Sequence, residues 1–91
     1  MTTAAKVIEW VRLMVKAPAE SRGAVPAPAA LHVGERAHWL LSDAAGWRSV
    51  HRGELLPALF GVPIVPTSDM GTEWRVLNGA GAVIAGGDLD P

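Results

Sequence analysis

The sequence predicts a small α+β domain, on three observations. Apolar residues recur at helical spacing through the first half, strand-like patterning takes over from Val62, and Asn78-Gly79-Ala80-Gly81 supplies a hairpin turn near the end. The expected arrangement is an N-terminal amphipathic helix (1–17), a Pro/Ala-rich linker (18–30) and a small α+β body (31–91). That body would hold two short helices and a mostly antiparallel sheet with a C-terminal hairpin.

Thr3 is placed to cap the first helix, and Pro18 is expected to end it near Ala17. Val7, Ile8, Trp10, Val11, Leu13, Met14 and Val15 cover well over half its circumference, against polar Lys6, Glu9, Arg12 and Lys16. Packing on one side needs a stripe of only about 100°. The helix is therefore expected to touch both its own domain and a partner, with Val7, Trp10, Val11 and Met14 as the protein interface. Beyond it, Pro18, Pro26 and Pro28 stand among alanines with no periodicity, which reads as a semi-rigid linker.

Leu31–Val33 reads as a short strand ended by Gly34. Ala37, Leu40, Leu41 and Ala44 then mark a helix from Glu35 to about Ala45, with Gly46 as its stop. A second short helix is expected over Arg52–Phe60, with Leu55, Leu56, Leu59 and Phe60 on one face and Gly61 in the left-handed position after it. Val62–Pro66 is an apolar strand that its prolines confine to a sheet edge or to a place with few ladder bonds. Thr72–Leu77 alternates, with Trp74 and Val76 on one face and Arg75 and Leu77 on the other. The hairpin returns through Ala82–Ala85, Gly86-Gly87 ends that strand, and Asp88–Pro91 is a polar tail.

Composition narrows the function. The chain has 91 residues, enough for one domain, and is 49% hydrophobic and 19% charged. That is less charged than the roughly 25% of an average globular domain, so the surplus apolar surface is expected to be covered by another protein. The net charge of −1 disfavours nucleic acid as a partner. Residues 1–53 carry seven Lys/Arg against four Asp/Glu and residues 54–91 one against five, a split that suits one copy packing on another. With no cysteine there is no disulfide or thiolate chemistry. Lys6, Glu9 and Arg12 interrupt any signal-peptide pattern, and Pro57, Gly61 and Pro63 break the longest apolar stretch, so no membrane association is expected.

No catalytic constellation is legible. His32, His38 and His51, even with Glu35 or Glu54, lack metal-ligand spacing, so neither metal nor cofactor is expected. Ser21, Ser42, Ser49 and Ser68 lie in no nucleophile elbow. Ser49 and His51, two residues apart, would share a face of an extended segment but have no orienting carboxylate. Asp43, Asp69, Asp88 and Asp90 form no pair, and the glycines at 79 and 81 precede a strand where a phosphate loop would precede a helix. Trp47-Arg48, His51-Arg52 and Trp74-Arg75 join stacking surface to cations, the minimum for single-stranded nucleic acid. With one Phe and no Tyr, however, the four Trp are the only large aromatics available to a core or an interface.

One order of parts stands out. A strand at Leu31–Val33 and a helix ending in Asp43-Ala44-Ala45-Gly46-Trp47 precede Leu59-Phe60-Gly61-Val62-Pro63-Ile64-Val65, and Gly71-Thr72 leads into the next strand. Over residues 29–85 this resembles a segment of tailed-bacteriophage major capsid proteins, in which such a Leu–aromatic–Gly–Val–Pro motif brings the chain back into the sheet. Shell subunits of that family are much longer and carry a spine helix and an extended arm, both missing from this sequence. The resemblance thus implies a minor capsid, decoration or head–tail interaction protein, located in the virion or the host cytoplasm. The expected function is non-enzymatic, through contacts with other virion proteins or with itself. The alternative is a small regulatory module that binds nucleic acid or a host protein.

Overall fold

The computed structural model describes residues 2–20 and 27–90, with the backbone alone at 18–20. Helix α1 spans Ala4–Glu20 and begins as expected, the Lys6 N–H reaching both the Thr3 hydroxyl (3.3 Å) and the Thr3 carbonyl (3.1 Å). It does not end at Pro18. A proline lacks the N–H that would bond the carbonyl four residues back, and in the last turn that loss is a single bond. The expected linker therefore shrinks at both ends: 18–20 belong to α1, and Pro28–Ala30 belong to strand β1, Pro28–Val33. Its middle, 21–26, lies outside the described residues.

Helix α2, Glu35–Ala44, follows β1 through Gly34 and closes at Gly46, whose φ of +70° needs no side chain. Helix α3 is a single turn, Trp47–Val50. The helix expected over Arg52–Phe60 is not there. Arg52 and Gly53 take positive φ (52° and 82°) and break the path. Residues preceding a proline avoid the helical region, which disfavours Leu56 before Pro57. Ala58–Leu59 form β2, which turns at Phe60 (φ 50°) and Gly61 (φ 82°) into β3, Val62–Pro66. Gly61 has the left-handed backbone expected of it, but in a hairpin turn and not after a helix.

Strands β4 (Glu73–Asn78) and β5 (Val83–Asp88) complete a sheet of order β2-β3-β1-β4-β5. β1 and β3 run parallel, joined across α2, and the other neighbours are antiparallel. The Asn78 side-chain carbonyl accepts from the Ala80 and Ala82 N–H groups (both 3.0 Å) and shapes the last hairpin. Gly86-Gly87 do not end β5 but run within it. A Cβ on Gly86 would come 2.9 Å from the Trp74 carbonyl oxygen, too close to fit, whereas one on Gly87 would only meet the Trp74 indole in ordinary contact at 3.5 Å. Nor is the end a free tail: Leu89 is fully buried, and Thr2 pairs beside it through Thr2 N–H to Asp88 O (3.1 Å) and Asp90 N–H to Thr2 O (2.8 Å).

The architecture is two layers. Val7 and Val11 of α1, and Ala37 and Leu41 of α2, pack onto Leu31, Val33, Ile64, Trp74 and Val76 from one face of the sheet, with Leu89 closing the end. α1 thus shares this core and is not a detached arm. Its outward ion pair, Glu9 with Arg12, holds the Glu9 carboxyl below the usual carboxylate range through the guanidinium hydrogen bonds.

Candidate functional site

The face of α1 expected to dock a partner is turned inward. Val7 and Val11 are 1% and 0% exposed, and Trp10 is half-buried against Trp74 (ring centroids 6.1 Å apart, planes at 56°). Met14 is half-buried, and only Leu13 (53% exposed) and Val15 (37%) look outward. The wide apolar arc is explained by α1 lying against both α2 and the sheet. Of the expected interface, Val7 and Val11 are core residues and Trp10 packs against that core, while Met14 is half-buried.

The polar candidates are also absorbed by the fold. His38 is buried, and its Nε2 lies 2.7 Å from the Leu56 carbonyl, so that nitrogen carries the proton and donates. Ser42, fully buried, donates to the His38 carbonyl (2.7 Å) and accepts from the Leu56 N–H (2.8 Å). Together they clamp the irregular stretch before β2 onto α2. Ser49 and His51 do not share a strand face. Ser49 lies in α3 and donates to the Gly46 carbonyl (3.0 Å), while His51 stacks on Trp47 at 3.7 Å. Ser21 falls outside the described residues. Among the described residues no three His, Asp or Glu side chains converge as metal ligands would.

The Trp–Arg pairs are partly occupied by the protein itself. Arg48 lies 3.9 Å over Trp39 and bonds Asp43 at 2.8 Å, His51 covers one face of Trp47, and Trp74 is buried. Two shallow grooves flank Glu35. The larger, 430 Å³, is lined by Arg36, Trp39, Ser68 and Gly71, and the smaller, 290 Å³, by His38, Leu55, Pro66 and Thr67. Neither brings together a nucleophile, a base and an anion-stabilising donor pair.

What remains is the sheet face away from the helices. The buried positions of β1, β3 and β4 alternate with outward ones, and the register aligns the outward ones in rows across the strands. Ala30, Leu77 and Val83 stand side by side on β1, β4 and β5, and Ala58 pairs with Pro63 on β2 and β3, so apolar outward positions occur on all five strands, with Val83 56% exposed. Another row runs Val65, His32, Arg75, Gly86, with Val65 38% exposed. A sheet face in water ordinarily carries polar side chains at these positions. Among the described residues, the formal charges on this face are Arg75 and Glu73, bonded to each other at 2.7 Å, and Asp88, which stands across from Glu73 in the register and accepts from the Thr72 hydroxyl at 3.3 Å. No helix among the described residues covers this face, and none is long and apolar enough to cross a membrane. The sequence signalled part of this in the Trp74/Arg75 alternation. That β1 and β3 also present apolar residues outward needed the strand order.

Comparison with protein-family models, with curated proteins and with solved structures yields no match.

Proposed function

We propose that this chain is a non-enzymatic component of a bacteriophage virion or of its assembly, a minor capsid, decoration or head–tail interaction protein that acts by protein–protein contacts. The observation that carries the contact-making part is the open sheet face, apolar across five strands where solvent contact would call for polar side chains. The phage setting rests on the resemblance over residues 29–85. The path from β1 through α2 to Leu59–Val65, which returns the chain beside β1, has the order of parts that resemblance implies.

The test is co-elution in size-exclusion chromatography with light scattering, mixing the chain with the capsid and tail proteins of its own genome at low and high salt. A complex held by apolar burial survives ~1 M salt, where the screening length is only about 3 Å. A chain that ignores every virion protein but shifts with single-stranded DNA at low salt overturns this reading and favours the regulatory module.

A further inference from the structure

We propose that Asn78-Gly79, at the turn between β4 and β5, is a self-modification site: in the folded chain the Gly79 amide nitrogen attacks the Asn78 side chain and converts its amide to an acid. This chemistry is independent of what the protein binds.

The turn supplies the parts of an acyl transfer. The electrophile is polarised. Asn78 Oδ1 accepts from the backbone N–H groups of Ala80 and Ala82, each at 3.0 Å, so donors stand where negative charge would develop on that oxygen. The nucleophile is open. Gly79 is exposed, and its N–H makes no hydrogen bond among the described residues. The space where a Cβ would stand is empty, so no side chain crowds the nitrogen. Electrophile and nucleophile are chain neighbours, and the turn is closed around them. The Gly81 N–H bonds the Asn78 main-chain carbonyl (3.0 Å) and the Asn78 N–H bonds the Ala82 carbonyl (2.9 Å), which holds the amide in place before reaction begins.

The step balances with water alone. The Gly79 nitrogen gives its proton to hydroxide and adds to Asn78 Cγ, while the carbonyl electron pair moves onto Oδ1 between its two donors. Collapse breaks the Cγ–Nδ2 bond, and that nitrogen takes up a proton from water and leaves as ammonia. Water then opens the remaining cyclic imide at either carbonyl. One opening gives aspartate, whose carboxylate keeps the same two N–H partners. The other gives isoaspartate, which routes the backbone through Cβ and lengthens β4 where residue 78 pairs with Pro28 of β1. Both add a negative charge to the hairpin, and the second also disturbs its register against β1.

Asn78 is the only Asn in the chain, which has no Gln, so an amide-to-acid mass gain of the intact protein arises there alone. Mass spectrometry follows that gain in the folded chain and in the same chain held unfolded in guanidinium chloride, at neutral and alkaline pH. A short Asn-Gly peptide in both solvents corrects for the denaturant. The folded chain is expected to react at least ~5-fold faster than the unfolded one, the effect of about one net hydrogen bond. The rate is expected to rise with pH, and the product to carry heavy oxygen when the water is labelled. Gly79→Ala, whose methyl group has room in the fold, is expected to keep the far-UV spectrum and to react at least ~10-fold more slowly, because the nitrogen loses its freedom of approach.

A folded rate at or below the unfolded one would mean that the two N–H groups lock the amide against attack, and it overturns the proposal. A mass that never changes does the same. An undiminished rate in Gly79→Ala would point to direct hydrolysis by water in place of attack by the chain, and it too overturns the proposal.

Discussion

Gly34 shows how much a single residue can owe to a distant part of the chain. Its backbone is ordinary extended geometry (φ −71°, ψ 167°), so torsional freedom is not the reason for a glycine. Space is. A Cβ there would stand 2.2 Å from both the nitrogen and the oxygen of Gly71 and 2.4 Å from the carbonyl carbon of Met70. The corner between β1 and α2 is pressed onto the turn before β4, where the Gly34 N–H bonds the Glu73 carbonyl (3.0 Å) and the Ala37 N–H bonds the Gly71 carbonyl (3.0 Å). Gly34→Ala is expected to lower stability by at least ~2 kcal/mol, because backbone must move to admit the methyl group. A urea midpoint equal to that of wild type would remove this account. In the sequence Gly34 reads only as a break after a strand, since its neighbour at 71 is invisible at that level.

At the scale of elements, the stretch from Arg52 to Phe60 is where helical periodicity misleads. Leu55, Leu56, Leu59 and Phe60 fit one helical face, yet Leu56 is buried from an irregular stretch, Leu59 from strand β2, and Phe60 is 47% exposed in a turn. Short apolar runs satisfy both periods, and the choice falls to whatever bonds the backbone. Here β3 supplies the ladder to Ala58–Leu59, and Ser42 and His38 hold Leu56 at its N–H and carbonyl. Ser42→Ala leaves the buried Leu56 N–H without that acceptor and is expected to cost about 1–3 kcal/mol. Chemical denaturation reads the loss, and a change below ~0.5 kcal/mol would show that the clamp is not what orders this stretch. On α1 the contrast lies between faces. Leu13→Ser, outward, is expected to stay within about 0.5 kcal/mol of wild type by the same measurement.

For the molecule as a whole, the two ends of the described chain close on each other. Leu89 is fully buried in the core, and its N–H bonds the Thr72 carbonyl (3.0 Å) while Thr2 pairs alongside. Leu89→Ala is expected to cost ~2–5 kcal/mol and to release the bonds between Thr2 and residues 88–90. Thermal unfolding measures the first effect, and faster amide hydrogen exchange at Thr2 and Asp90 the second. Loss below ~1 kcal/mol with unchanged exchange would show that the closure adds little. The same closure sets the described helices on one side of the sheet, while the other side carries the apolar outward rows.

The sequence by itself determined the α+β class, the Thr3 cap, the helix after Gly34, the strand at Val62–Pro66 and the β4–β5 hairpin. Each of these is written in local chemistry: a hydroxyl before a helix, a period of 3.6 or 2, an Asn-Gly turn. Tertiary structure decided which apolar face goes inward. Nothing local tells whether Val7 and Val11 meet a partner or a sheet, because periodicity records that a surface is apolar and not what covers it. It also decided the candidate site. The outward rows exist only because β3 lies beside β1 and β1 beside β4, an order that places Val65, His32 and Arg75 side by side although they are far apart in sequence.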